Sequence, residues 1–216
     1  VSLDFLFLKK IINQSFPVLI SAMGIILYMR IDQIMIKSLL DEYNLGMYSA
    51  SVRFIEIFHF IPKIIIISFL PILLLSKTYN FKLLKLNSTL FKLSFFISIL
   101  IFYLSDTLIT SIYGHTYSNS IMTTKILSFS LIFVAFGVIN EHWYINKGLQ
   151  KYYAFYVLSG ALINITLNFF LIKKFGIEGA AYSTLITYFL IIFIFDLLNK
   201  KTAALFKIKY KSLFFL

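Results

Sequence analysis

The chain has 216 residues, of which 60% are hydrophobic and 13% charged, with a formal net charge of +11. That composition, with a mean hydropathy of +0.88, excludes a soluble globular domain, where roughly 25% of residues are charged. With no cysteine there is no disulfide, thiolate nucleophile or Cys-based metal site, and His59, His115 and His142 lie too far apart for a ligand motif, so neither metal nor cofactor is expected.

A spanning helix needs about 20 mostly apolar residues. Segments 15–37, 45–75, 90–112, 121–145, 152–172 and 179–198 meet that requirement, which predicts an all-α membrane protein of six transmembrane helices. No recurring strand-like alternation supports a barrel. The chain does not open with Met and is expected to be the C-terminal half of a longer protein, with 1–216 forming one bundle.

The first span opens near Pro17, a residue tolerated in a first helical turn. Arg30 and Asp32 lie about two-thirds of the way along it. Two residues apart, they do not share a helix face, so at least one must point into the protein. A short polar turn with Asp41, Glu42 and Asn44 follows.

The second span would reach about 46 Å as one helix, against a hydrocarbon core of about 30 Å. It must tilt, protrude or break, and a kink is expected just before Pro62. Arg53, Glu56, His59 and Lys63 recur at helical spacing and predict a polar stripe. Ionisable residues inside a span are costly and mark function by default. The stripe either pins helices together or lines a water-filled cavity, and the second reading is preferred.

Asp106, near the end of the third span, reads as solvated. Trp143 and Tyr144 close the fourth span and read as an interfacial belt, with Glu141 an interfacial carboxylate beside them. Gly176 and Gly179 suit a helix end and a tight entry into the next helix. Asn164 and Asn168, four apart, are expected to make interhelical hydrogen bonds. After Asp196, residues 199–216 alternate basic and apolar residues. They predict a basic amphipathic cytoplasmic tail on an anionic leaflet.

Lysines 9, 10, 77, 82, 85, 92, 147, 151, 200, 201, 207, 209 and 211 fall on one side of this topology. Only Lys37, Lys173 and Lys174 fall on the other. The bias places both ends in the cytoplasm. It also accounts for the net charge without a nucleic-acid partner, for which no fold signature is present. G-x-S-x-G, H-E-x-x-H, P-loop and G-x-G-x-x-G motifs are absent. Glu56 and His59 would make an acid–base pair, but with no nucleophile or metal beside them the chain is not read as an enzyme.

The stretch YMRIDQIMI, the acidic turn and LGMYSASVRFIEIFHFIPKIIIISFLPILL resemble the start of the second half of Wzx-type O-antigen flippases. These are polysaccharide transporters of the multidrug/oligosaccharidyl-lipid/polysaccharide (MATE-like) exporter superfamily. The stretch LSGALINITLNFFLIKKFGIEGAAYSTLIT resembles the closing helix pair of the same family. The resemblance implies two six-helix bundles facing each other across a central cavity in the cell inner membrane. This chain would be the second bundle, and its partner the absent N-terminal one. The implied substrate is a polyprenyl-pyrophosphate-linked oligosaccharide, moved across the bilayer by alternating access during lipopolysaccharide O-antigen assembly. Arg30, Arg53 and Lys63 would then bind the diphosphate, because guanidinium forks match phosphate oxygens. Asp32 and Glu56 would neutralise these cations or couple transport to protons.

Two alternatives stay open. A drug or cation exporter of the same superfamily would want a net acidic, aromatic cavity. A membrane enzyme such as a repeat-unit polymerase would be expected to carry a long extracytoplasmic loop.

Overall fold

The computed structural model describes residues 5–215; residues 1–4 and 216 of the predicted bundle lie outside the described residues. Among the described residues all regular structure is helical. In chain order these are α1 (Phe5–Leu39), α2 (Glu42–Leu74), α3 (Tyr79–Tyr113), a 3₁₀ segment (His115–Ser120), α4 (Ile121–Ser128), α5 (Ser130–Asn146) and α6 (Gln150–Phe189). A π turn (Leu190–Ile194) leads into the single turn α7 (Phe195–Leu197), and α8 (Ala203–Leu213) closes the chain. Among the described residues four helical stretches are long and apolar enough to cross a membrane: Ser15–Leu39, Glu42–Leu74, Tyr79–Tyr113 and Gln150–Leu197. The pair His115–Ser128 and Ser130–Asn146, bent by 43°, makes a fifth if it is counted as one crossing.

The turn between α1 and α2 is set by Asp41. Its backbone is extended and its side chain accepts from the Asn44 N–H at 2.7 Å, satisfying one free donor of the new helix. Helix α1 starts well before the predicted span, so Pro17 sits inside it rather than in its first turn. Helix α2 is one helix from Glu42 to Leu74, with Pro62, the expected kink position, and Pro71 both inside it. Pro62 is buried, and packing against neighbours lets a membrane helix tolerate the lost hydrogen bond.

The fourth predicted span is broken at Phe129. Such a break frees carbonyls that lipid cannot satisfy. A serine hydroxyl from α3 covers one of them, Ser98 Oγ donating to the Ser128 carbonyl at 2.7 Å; at the start of α4, Ser51 Oγ donates to the Ser120 carbonyl at 2.9 Å.

Helix α6 doubles back. As one straight helix, 16 residues would separate Asn168 from Thr184 by about 24 Å. Yet both side chains hydrogen-bond the same carboxylate, that of Asp32. Gly176 makes the reversal, at φ 62° and ψ −140°, a backbone state open to glycine alone. The two arms then pack as a hairpin, Gly160 against Ile191 and Gly179 against the Leu171 carbonyl. A Cβ at Gly179 would overlap that carbonyl, and backbone cannot step aside as a side chain can. Gly179→Ala is therefore expected to cost about 1–3 kcal/mol, as overpacking does. Thermal melts of the purified protein check this, with Gly46→Ala as a neutral control because its Cβ meets nothing within 4 Å.

Two apolar cores hold the bundle. One, with Ile36, Tyr48, Phe54, Ile109, Leu131 and Ile177, lies towards the end that carries the Asp41 and Gly176 turns. The other, with Ile66, Leu83, Phe136, Trp143, Tyr144 and Leu205, lies towards the opposite end. Trp143 and Tyr144 are thus core residues, not an interfacial belt. Exposed Ile26, Ile57, Phe60, Phe96, Leu162 and Phe170 give the bundle an apolar outside.

Candidate functional site

Asp32 is 3% exposed and, among the described residues, pairs with no cation. Three neutral donors hold it: Tyr48 Oη at 2.8 Å, Asn168 Nδ2 at 2.5 Å and Thr184 Oγ1 at 2.8 Å. Asn168 Nδ2 also donates to Asn164 Oδ1 at 3.0 Å. This corrects the expectation that Asp32 neutralises an arginine. The expected interhelical bond of Asn168 is present, and its target is this carboxylate. Beside the cluster, Asn168 Oδ1, Asn164 Nδ2 and Thr187 Oγ1 are buried without a hydrogen-bond partner. Buried polar groups are rarely left so in lipid-facing proteins.

Arg30 and Asp32 face opposite ways, as their spacing requires. Arg30 lies towards the outside, half exposed, with its Nη2 3.4 Å from Glu56 Oε1. The stripe on α2 splits. Glu56 joins Arg30, His59 turns inward to Ser130 Oγ at 3.1 Å, and Lys63 stays exposed. Arg53 is exposed and makes no ion pair among the described residues.

Two cavities run behind this face. A small one of about 30 Å³ is bounded by Asp32, Tyr48, Glu56, His59, Ser130 and Thr184. It has room for about two waters. A larger one of about 160 Å³ is bounded by His59, Lys63, Asn140, Glu141, Tyr153 and apolar side chains. Met29, His59 and Tyr188 border both. Glu141 therefore lines a cavity instead of sitting at an interface. Among the described residues no group of three metal-ligating His, Cys, Asp or Glu side chains occurs. The hydroxyl oxygens of Tyr48 and Thr184 lie against the Asp32 carboxylate, so the atoms around it are hard oxygen ligands.

A second buried charge lies at the opposite end. Asp196 and Lys209 are both fully buried and paired, and Tyr144 Oη donates to the same carboxylate. Lys209 also donates to the Ile192 carbonyl, within the π turn. The Asn140 amide, oriented to donate to the Phe136 carbonyl at 3.1 Å, accepts from Lys209 at 3.2 Å. Burial pulls the Lys209 ammonium below its ordinary pKa, and the Asp196 carboxylate opposes that shift. The tail is thus a docked helix. Ser88 Oγ holds the Phe215 carbonyl at 2.8 Å, and only the side with Lys207, Tyr210, Lys211 and Phe214 is exposed. Asp106 is not simply solvated, because Lys125 Nζ meets it at 2.6 Å.

Sequence reasoning missed Tyr48, Ser130, Thr184 and Lys209. The four-residue spacing of Asn164 and Asn168 was the one signal pointing at the Asp32 cluster.

The apolar helices and the chain's relatives define an all-helical membrane protein. It is 27% identical over 180 residues to "Uncharacterized membrane protein MJ1375" of Methanocaldococcus jannaschii, covering 82% of the chain and 42% of that protein. It is 33% identical over 106 residues to "Uncharacterized membrane protein MJ1068" of the same organism, covering 48% of the chain and 21% of that protein. The chain thus spans less than half the length of these relatives. No family model matches it, and no solved structure gives a significant match.

Proposed function

We propose that the chain is one bundle of a two-lobed, ion-coupled flippase for polyprenyl-pyrophosphate-linked oligosaccharides. The observation that carries this reading is the α1–α2 face. There Arg30, Arg53 and Lys63 stand on an otherwise lipid-compatible bundle, Arg53 with no ion-pair partner among the described residues. A cation on such a face needs water or an anion. A diphosphate in a cavity shared with a second bundle supplies one, and two guanidinium forks suit its oxygens. The crossings are α1, α2, α3, the bent α4–α5 pair and the two arms of α6, with both ends of the chain in the cytoplasm of an inner-membrane protein. Asp32 is the coupling carboxylate, and the orphaned Asn168 oxygen beside it is a ready further ligand for the ion.

The test uses the intact protein in a cell lacking its own flippase, scoring surface polysaccharide at matched protein levels. Arg53→Ala is expected to abolish the signal and Arg53→Lys to restore part of it, since lysine keeps the charge but loses the fork. Full activity of Arg53→Ala at normal abundance would remove Arg53 from the substrate site.

A further inference from the structure

We infer that Glu56 is the link between ion and substrate, held by Arg30 when the site is empty and drawn off it by the coupling cation. The inference rests on the flippase reading of Arg30 and Asp32 and adds how the two are joined. Glu56 belongs to both places at once. Its Oε1 stands 3.4 Å from Arg30 Nη2 on the substrate face. The same side chain forms a wall of the chamber that holds Asp32. That Oε1 atom is buried and, among the described residues, makes no hydrogen bond and has the guanidinium as its ion-pair partner.

An ion pair at that distance and half exposure holds Arg30 weakly. A cation entering the chamber meets two carboxylates, Asp32 and Glu56. Asp32 is already fixed by Tyr48, Asn168 and Thr184, so Glu56 is the one free to turn. Turning inward, it releases Arg30 to bind diphosphate through both arms of its fork. Linkage makes the effect reciprocal: bound diphosphate occupies Arg30, frees Glu56 and tightens the cation. The other titratable groups around the chamber are Tyr48 and His59 on α2 and Tyr188 on α6. His59 bonds Ser130 and Tyr48 bonds Asp32, so neither competes for Glu56.

The test measures binding of inorganic pyrophosphate, as a probe of the lipid headgroup, to the purified intact protein. Titrations run at one pH in sodium chloride and in choline chloride of equal ionic strength, then in choline chloride at lower pH. Sodium or protons are expected to tighten binding at least about fivefold, the low end of measured couplings. Which of the two does so identifies the ion. Glu56→Gln is expected to bind tightly in every condition, because Arg30 is then free. A variant that merely damages the fold would not gain affinity. Arg30→Ala is expected to bind weakly throughout. Cation dependence that survives in Glu56→Gln overturns the link and leaves the flippase reading standing. If pyrophosphate binding is unchanged by Arg30→Ala, or wild type shows no binding, the reading of the substrate face falls and the link with it.

Discussion

Lys209→Ala is expected to be among the most damaging single changes in this chain, costing about 3–5 kcal/mol as removal of one partner from a buried pair does. Both members are fully buried, and the ammonium also serves the Ile192 carbonyl. Truncation leaves Asp196 charged in a dry site with Tyr144 as its remaining side-chain donor. It also loosens α8, which is then held by Leu205 in the apolar core and by the Ser88 bond to Phe215. Thermal melts should fall, and protease should cut near residues 199–202 before the rest of the bundle. The joint change Asp196→Asn with Lys209→Met tests the cause. It removes both charges and keeps the volume, so it is expected to recover most of the loss, because a well-packed neutral pair often matches a buried ion pair. If the double variant is as unstable as Lys209→Ala, the loss comes from packing of the lysine stem and not from the orphaned carboxylate. Tyr144→Phe removes one hydrogen bond to a charged group and should cost less, about 1.5–3 kcal/mol.

Helical spacing says which residues share a face, and it says nothing about which helix that face meets. This divides what could be read from what could not. The opposite orientations of Arg30 and Asp32 follow from two residues of separation, and the structure has them. The turn at Gly176 was legible because glycine punctuates helices. The partners of Asp32 were not, since Tyr48, Asn168 and Thr184 are brought together by a hairpin and two helix crossings. A buried carboxylate two residues from an arginine invites an ion-pair reading, yet neutral hydroxyls and an amide hold it. Lys209 shows the limit most plainly. It sits in an alternating basic and apolar stretch where each lysine looks alike, and only the packing of α8 against the bundle selects one for burial. Trp143 and Tyr144 were read from their position at a span end, but α8 covers that end and makes them core.

Asp32→Ala is expected to lose both transport and stability, and the two losses can be separated. Alanine orphans the Tyr48 hydroxyl, while Asn168 Nδ2 keeps Asn164 Oδ1 and Thr184 Oγ1 keeps the Ala180 carbonyl. The unsatisfied buried phenol costs about 1–3 kcal/mol and the two other lost bonds to the carboxylate add to it, so the bundle should be destabilised. Asp32→Asn keeps the shape and one acceptor oxygen but removes the charge that attracts a cation, so it should stay folded and lose coupling. A ligand that binds only the folded state raises the melting temperature with concentration. Wild-type protein should therefore melt higher in sodium chloride than in choline chloride if sodium is the ion, or show a matching pH-dependent rise if the ion is a proton. Asp32→Asn should show neither, with a baseline melting temperature near that of wild type. A cation-dependent rise of the same size in Asp32→Asn would place the coupling site elsewhere. The larger cavity bounded by Lys63 and Glu141 would be the place to look, because Glu141 puts a carboxylate on its wall.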